Sequence, residues 1–460
     1  MPNRKVVLLV ATVAAFVAPF MSSSINIALP SIAQEFRMTA VTLGWVATAY
    51  LLAAAACLVP FGKAADILGR KKIFVLGSLV YALSSGLAAA APSGAVLIAS
   101  RALQGIGGAM IFSTGVAMLT AAYPPRERGR VLGINTASTY LGLSLGPVLG
   151  GFLTEGFGWR SVFGVNLALG LVLVGLALAG LRGEAAEARG EAFDAVGAAL
   201  LAAGLCALMF GLGKLPRIPG AGFIAAGAVF LALFVRWESA YRSPLFDLDL
   251  IRRNTAFAFS NLAALINYSA TFAAGFLLSL YLQYLQGLSP RKAGLILIAQ
   301  PAVMAVFSPL AGRLSDRVEP RLLASAGMGL SSVGLFLLSF LGRTSSLTSV
   351  GASLVVLGIG FALFSSPNTN AVMSSVEKRS YGVASATLGT ARLTGMMLSM
   401  GAAMLVFALY LGKTAIMPEV FPRYLAALRT AFVLFGALCA AGVFVSLARG
   451  NLNEAKGGNR

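Results

Sequence analysis

Apolar runs of about twenty residues recur along this chain, with short polar segments between them. About twenty residues is the length that lets an α-helix cross a hydrocarbon core roughly 30 Å thick. The apolar runs are separated by charges or by Gly and Pro turns. We therefore predict an all-α membrane protein with fourteen spans. They are residues 6–28, 42–62, 73–92, 95–120, 131–153, 161–182, 194–213, 220–236, 255–283, 292–311, 321–341, 347–366, 382–409 and 425–447.

Composition and charge agree with a membrane protein. The 460 residues are 58% apolar and 11% charged, too few polar side chains for the surface of a soluble fold. Of the 35 Lys and Arg residues, 23 lie on the N-terminal side of the membrane, ten on the other side and two within spans. This bias predicts a multi-pass protein of the cell membrane with both termini cytoplasmic, and it explains the net charge of +19 without nucleic acid as a partner.

An internal repeat relates the two halves of the chain. Gly105 and Gly107 recur 253 positions later as Gly358 and Gly360, and Gly142 recurs as Gly395. A charged turn after the second span recurs 250 positions later, with its glycine and aspartate in register. The two turns contain Gly62, Asp66, Gly69 and Arg70 in the first half, and Gly312, Asp316 and Arg317 in the second.

The fifth span has small residues at every fourth position, which places them on one helical face and lets another helix approach closely. A proline within this stretch predicts a local bend. The residues of this motif are Gly142, Gly146, Pro147, Gly150 and Gly151.

These motifs, together with Arg101-x-x-Gln104-Gly105, resemble the major facilitator superfamily, and more narrowly its fourteen-helix branch of drug:proton antiporters of the multidrug efflux type. The resemblance implies a major facilitator fold, with two six-helix bundles around a substrate cavity that opens alternately to each side. Residues 1–182 would form the first bundle and 183–254 a linker with two further spans. Residues 255–460 would form the second bundle and a short cytoplasmic tail.

The resemblance also implies roles for the motifs. The two charged turns would form the cytoplasmic gate, and the fifth-span motif marks exporters within the family. Arg101, Gln104 and Asp66 become candidates for proton coupling. For Arg101 the alternative is a structural tether to helix 1 or helix 5.

Polar side chains within spans cost free energy unless they are hydrogen-bonded or face water. They either line a cavity or bond neighbouring helices, and for Arg392 the alternative is bonding to carbonyls near its own small-residue helix. The candidates for the cavity are Ser22, Asn26, Asn261, Asn267, Tyr268, Thr271, Gln300 and Arg392. Past the twelfth span, Pro367 predicts that the helix end unwinds.

The chain departs from the family in its acidic residues, none of which falls in the middle third of a span. Exporters of cations in the family carry an aspartate in helix 1 at the position of Met21. The absence of an acidic side chain at Met21 favours neutral or anionic substrates over cations. It also leaves proton coupling to a gate carboxylate or to a protonatable substrate.

Other classes of function are disfavoured. The chain has no histidine, and its three cysteines lie in three different spans without metal-binding spacing, so we expect no enzyme, no metal and no cofactor. We predict an efflux transporter of small lipophilic molecules, driven by protons and acting as a monomer in the bilayer. The alternative is a facilitator or lipid-type transporter without carboxylate coupling. The repeated charged turns disfavour a non-transporting scaffold or receptor, because neither function requires a gate.

Overall fold

The computed structural model describes residues 4–181, 188, 190–241, 243–315, 317–377, 381–412 and 414–450. These ranges contain helices and their connections, and no strand. Fourteen helices in them are long enough to cross a bilayer. They are α1 Arg4–Phe36, α2 Ala40–Leu68, α3 Arg70–Ala89, α4 Gly94–Ala122, α5 Pro125–Phe157, α6 Arg160–Gly180, α7 Ala195–Lys214, α8 Ile218–Glu238, α9 Thr255–Leu285, α10 Pro290–Leu314, α11 Pro320–Ser339, α12 Leu347–Ser374, α13 Tyr381–Tyr410 and α14 Phe421–Leu447.

The predicted fourteen-helix fold is confirmed. Thirteen of the described helices are both long and apolar enough to span a membrane; α5, with 33 residues, is less apolar because glycine, serine and threonine are frequent in it. The prediction that Pro367 unwinds the end of the twelfth span is wrong, since α12 continues through it to Ser374. A membrane helix tolerates proline where neighbouring groups satisfy the freed backbone.

The internal repeat appears as equivalent close contacts between helices. Gly105 of α4 lies so close to α2 that a Cβ there would clash with the carbonyl oxygen of Tyr50. Its counterpart Gly358 of α12 lies against α10, where a Cβ would be 2.7 Å from the carbonyl oxygen of Gln300. The same pair of helices therefore meets at a glycine in each half, which is why the spacing recurs in the sequence.

Helices α1–α6 pack mainly on one another, as do α9–α14. The hairpin formed by α7 and α8 lies against α2 and α13, at the junction of the two halves. Between the halves, the main contacts join α2 to α13, α5 to α10 and α1 to α9. We call the end of the bundle that carries Lys63 and Arg70 the basic end, and the other the opposite end.

The halves are hydrogen-bonded to each other at the opposite end. The Ser279 hydroxyl of α9 donates to the carbonyl oxygen of Asn26 at 2.6 Å, and the Gln283 amide donates to that of Ile27 at 3.1 Å. The backbone N–H of Arg291 donates to the Glu155 carboxylate at 3.0 Å. These contacts close the space between the halves at this end.

Candidate transport site

The first charged turn, residues 62–70, which we call the first gate loop, is built around Asp66 and Arg70. The Asp66 carboxylate accepts hydrogen bonds from the Arg70 guanidinium at 2.8 and 3.0 Å, four residues along the chain. Gly69 separates α2 from α3 with φ of 110°, a backbone conformation that favours glycine. A Cβ on Gly62 would lie 3.7 Å from Ser113, an ordinary contact, so close helix approach does not require a glycine there in this conformation.

The second charged turn, residues 312–317, which we call the second gate loop, is described by the structure only in part. Asp316, predicted to match Asp66, lies outside the described residues. Gly312 is as loosely packed as Gly62, with Ser366 3.7 Å from the position of a Cβ, and the Arg317 side chain is exposed. The Ser315 side chain donates to the Gly312 carbonyl oxygen at 2.7 Å, a contact within the second half.

The segment before α7 contacts the first gate loop, a contact that the sequence does not reveal. The N–H of Ala188 donates to the Asp66 carbonyl oxygen at 3.0 Å, and the Lys63 ammonium lies 2.5 Å from the Glu191 carboxylate. Lys63 and the Ser243 hydroxyl donate to Glu191 and hold the pKa of its carboxyl below the ordinary value. The linker is thereby joined to the end of α2.

Arg101 is fully buried between α4, α2 and α3. Its Nε donates to the Val46 carbonyl oxygen at 3.0 Å, its Nη1 donates to the Gln104 side chain, and its guanidinium lies over the Tyr50 ring at 4.7 Å. Gln104 in turn donates to the Ser85 hydroxyl at 2.7 Å. Arg101 thus contacts α2 and, through Gln104, α3, whereas the predicted tether to helix 1 or helix 5 is wrong.

A small cavity lies beside Arg101 and is bordered by α1, α2, α4 and α9. It brings together the first-half candidates Ser22, Asn26 and Arg101. Its remaining walls are apolar or aromatic. The full lining is Ser22, Ile25, Asn26, Ala47, Tyr50, Leu51, Arg101 and Phe272.

Arg392 forms a second polar centre, on α13. Its Nη2 donates to the Thr369 hydroxyl of α12 at 2.6 Å, and its guanidinium carbon lies 5.7 Å from the centre of the Tyr268 ring. Its Nε is buried and has no hydrogen-bond partner among the described residues. The partner hydroxyl comes from α12, not from carbonyls of its own helix. Tyr268 also packs edge-on against Phe361, with ring centres 5.2 Å apart.

One aromatic residue that the sequence reasoning missed lies between the halves. The Tyr140 hydroxyl of α5 donates to the Ser365 hydroxyl of α12 at 3.5 Å. Both belong to helices that carry candidate site residues. The sequence feature that could have indicated Tyr140 is that it is a large aromatic residue in a span rich in small residues.

The other second-half candidates do not join Arg392. Asn267 is fully buried and its amide contacts the sulfur of Cys439 on α14 at 3.8 Å, so this side chain lies between helices of one half. Thr271 donates to the carbonyl of Asn267, and Asn261 donates to its own helix at Phe257, both at 2.8 Å. Gln300 is half-buried on α10. Packing between helices therefore accounts for Asn267, whereas Thr271 bonds back to its own helix.

The α5 motif packs on two sides. A Cβ on Gly142 would lie 2.5 Å from the Phe16 carbonyl oxygen of α1, and one on Gly150 would lie 2.8 Å from the Cα of Ser24. Gly146 contacts α1 in the same row. Pro147 and Gly151 instead approach the start of α10, where a Cβ on Gly151 would be 2.7 Å from a backbone oxygen. The motif therefore joins α5 both to its own half and to the other half.

Arg449 is a buried charge that sequence reasoning missed, because it follows the last span. Its guanidinium donates to the Asn368 side chain at 3.1 Å, to the Ser446 carbonyl at 2.8 Å and to the Ser260 hydroxyl at 3.4 Å. Burial lowers the pKa of Arg449 to about 10, and the neighbouring Glu319 opposes that change. Arg449 therefore stays charged at neutral pH and joins α9, α12 and α14.

The repeated halves, the helix count and the enclosed polar centres define a polytopic membrane transporter for small molecules. The chain belongs to the Major Facilitator Superfamily, whose sequence model matches residues 11–398, with a second match over 260–458.

Proteins similar to this chain include a riboflavin transporter and a multidrug resistance protein. The riboflavin transporter RibZ of Clostridioides difficile (strain 630) is 29% identical over 85% of this chain and 86% of its own. The multidrug resistance protein Stp of Mycobacterium tuberculosis (strain ATCC 25618 / H37Rv) is 32% identical over 85% of this chain and 73% of its own. The crystal structure of a bacterial homologue of the human lysosomal transporter Spinster superposes with a TM-score of 0.71, at 18% identity, over 98% of this chain and 97% of that one.

Proposed function

We propose that this protein exports small lipophilic molecules, neutral or anionic, by alternating access and in exchange for protons. The Lys and Arg distribution supports a cytoplasmic location for the basic end. Hydrogen bonds join the two halves at the opposite end. In this conformation, substrate would reach the space between the halves from the cytoplasm, as an exporter requires.

The observation that carries the substrate class is the environment of Arg392. It has a cationic group with one unpaired buried N–H and an aromatic face beside it, and no acidic residue occupies the middle of any span. An anion, or a neutral molecule with hydrogen-bond acceptors, would gain a partner there. A permanent cation would lose hydration without a counter-ion. A neutral, planar aromatic substrate, as in the riboflavin transporter to which the chain is similar, also fits this site.

Asp66 and Arg101 are the residues we assign to proton coupling. Asp66 would act at the cytoplasmic gate through its contact with Arg70, and Arg101 with Gln104 would act beside the first-half cavity. The second candidate function, a facilitator without carboxylate coupling, is favoured by Met21, the buried residue where cation exporters of the family have an aspartate.

The test uses inside-out vesicles and pairs of dyes matched in size, one a lipophilic acid and the other an ethidium-like cation. Wild-type protein should accumulate the acid under a proton gradient, and the cation should compete weakly. Arg392→Gln should weaken acid transport by roughly ten- to a hundredfold, since losing a charged hydrogen bond costs roughly 1.5–3 kcal/mol.

Arg343→Gln is the matched control, since it removes an exposed arginine from the loop before α12 and should leave transport unchanged. Gradient-driven export of the cation alone would refute the substrate class. Transport that persists unchanged after the gradient is collapsed would favour the facilitator.

A further inference from the structure

Two carboxyl groups meet at the base of the α7–α8 hairpin, away from the cavity beside Arg101. Asp194 immediately precedes α7 and Glu238 ends α8, and their exposed fractions are 1% and 3%. Asp194 Oδ1 accepts hydrogen bonds from the Gly197 N–H at 2.8 Å and from the Trp237 indole at 3.0 Å. Glu238 Oε2 accepts one from the Phe246 N–H at 3.1 Å. One oxygen of each carboxyl is therefore satisfied by a neutral donor.

The second oxygens, Asp194 Oδ2 and Glu238 Oε1, are buried and have no donor in the described part of the chain. Both border the space above Gly197, where a Cβ would clash with Asp194 Oδ2 and lie 2.6 Å from Glu238 Oε1. Because both oxygens lie within 2.6 Å of that single position, the two carboxyl groups face each other at close range. Two carboxylate oxygens can only accept, so this contact is repulsive unless one of them carries a proton.

The surrounding charges do not neutralise the pair. Before α7, Glu191 is bonded to Lys63, and after α8, Arg252 donates to the Ser239 hydroxyl. Arg236 on α8 is exposed, and Asp247 caps the short helix Leu248–Arg253. Asp194 is the charged group that faces Glu238, and the described residues place no Lys or Arg in an ion pair with either carboxyl. In the described part of the chain the groups that donate to the pair are neutral N–H groups, and two adjacent buried negative charges without a cation are unfavourable, which favours one proton on the pair.

We propose that Asp194 and Glu238 bind one shared proton and form a pH-sensing site that regulates transport from the base of the linker hairpin. Taking up the proton changes the charge of the pair from −2 to −1 and turns the contact between the two free oxygens into a hydrogen bond. Losing it, as pH rises, places two negative charges in a buried contact. Asp194 lies three residues after Glu191, which bonds α2 beside the first gate loop. Deprotonation would therefore disturb the contact between the linker and the gate.

The binding site is tested by infrared difference spectroscopy on the purified full chain, between neutral and alkaline buffer. Wild-type protein should show the C=O band of a protonated carboxyl at neutral pH and lose it in alkali. Glu238→Gln and Asp194→Asn should each abolish this band. Asp247→Asn, which removes an exposed capping carboxyl at the same end, should keep it. A wild type without the band, or a band that persists in both variants, would overturn the proposal.

The regulatory part rests on the proposed transport function and has its own readout. Glu238→Gln supplies a permanent N–H donor to Asp194 and mimics the protonated pair, so its transport rate should fall less than that of wild type as pH rises. Wild type and Asp247→Asn should both slow severalfold as pH rises. Equal pH dependence in wild type and Glu238→Gln would refute the regulation. If the chain moved none of the dyes, the infrared result would still decide whether the proton site exists.

Discussion

Replacing Gly142 with alanine should force α5 away from α1. The new Cβ would lie 2.5 Å from the Phe16 carbonyl oxygen and 3.1 Å from the Phe20 nitrogen, whereas ordinary contact begins at 3.4 Å. Both atoms belong to the backbone, so no rotation of a side chain relieves the overlap. The two helices must separate locally by about 1 Å.

The size of the effect follows from a control in the same helix. Gly133 has no atom within 4 Å of a Cβ, so Gly133→Ala should gain only the helix propensity of alanine, roughly 1 kcal/mol. Gly142→Ala gains the same propensity but adds overpacking, which typically costs about 1–3 kcal/mol. That cost is therefore the expected difference in unfolding free energy between the two variants.

The assay is unfolding of both purified variants in the same detergent, with transport measured in vesicles. Because α1 carries Ser22 and Asn26 of the cavity, Gly142→Ala should also slow transport. Gly395→Ala tests the repeat, since its Cβ would lie 2.6 Å from the Leu265 carbonyl oxygen of α9. If Gly142→Ala were as stable as Gly133→Ala, the inferred close contact would be refuted.

Three further substitutions test single side chains. Asp66→Asn should slow transport while expression stays near wild type; wild-type rates measured in vesicles would remove Asp66 from the gate. Arg101→Lys cannot reproduce the forked contact to Val46 and Gln104, and should lower the unfolding free energy by roughly 1–3 kcal/mol. Arg449→Lys should cost a similar amount by leaving buried acceptors unpaired, and unchanged unfolding at neutral pH would contradict the role of Arg449 in joining helices.

The fold could be predicted because its two determinants are local in sequence. Span length depends only on the run of apolar residues, and glycine at a helix crossing recurs wherever the crossing recurs. Gly105 and Gly358 illustrate the second point, since each permits the contact of its helix with the equivalent partner. No knowledge of three-dimensional contacts was needed to identify these positions.

The partners of polar side chains could not be predicted in this way. Spacing places Asn267 on a polar face of α9 but does not say whether that face turns to the cavity or to α14, and it contacts Cys439 of α14. Arginine adds a second uncertainty, because its long side chain reaches past its own helical face. Arg101 thus bonds the backbone of α2, whereas the structural alternative places its partner on helix 1 or helix 5.

The contact between Asp194 and Glu238 is the feature that the sequence could least predict. Each lies at the end of a span, where an acidic residue is ordinarily solvated, and the two are separated by the whole α7–α8 hairpin. Only the fold shows that the hairpin brings them together, buries both and leaves one oxygen of each without a donor. The absence of an acid from the middle of the spans therefore does not mean that the chain lacks a buried carboxyl. Proton binding can reside in the inserted hairpin, outside the twelve helices that the two halves share.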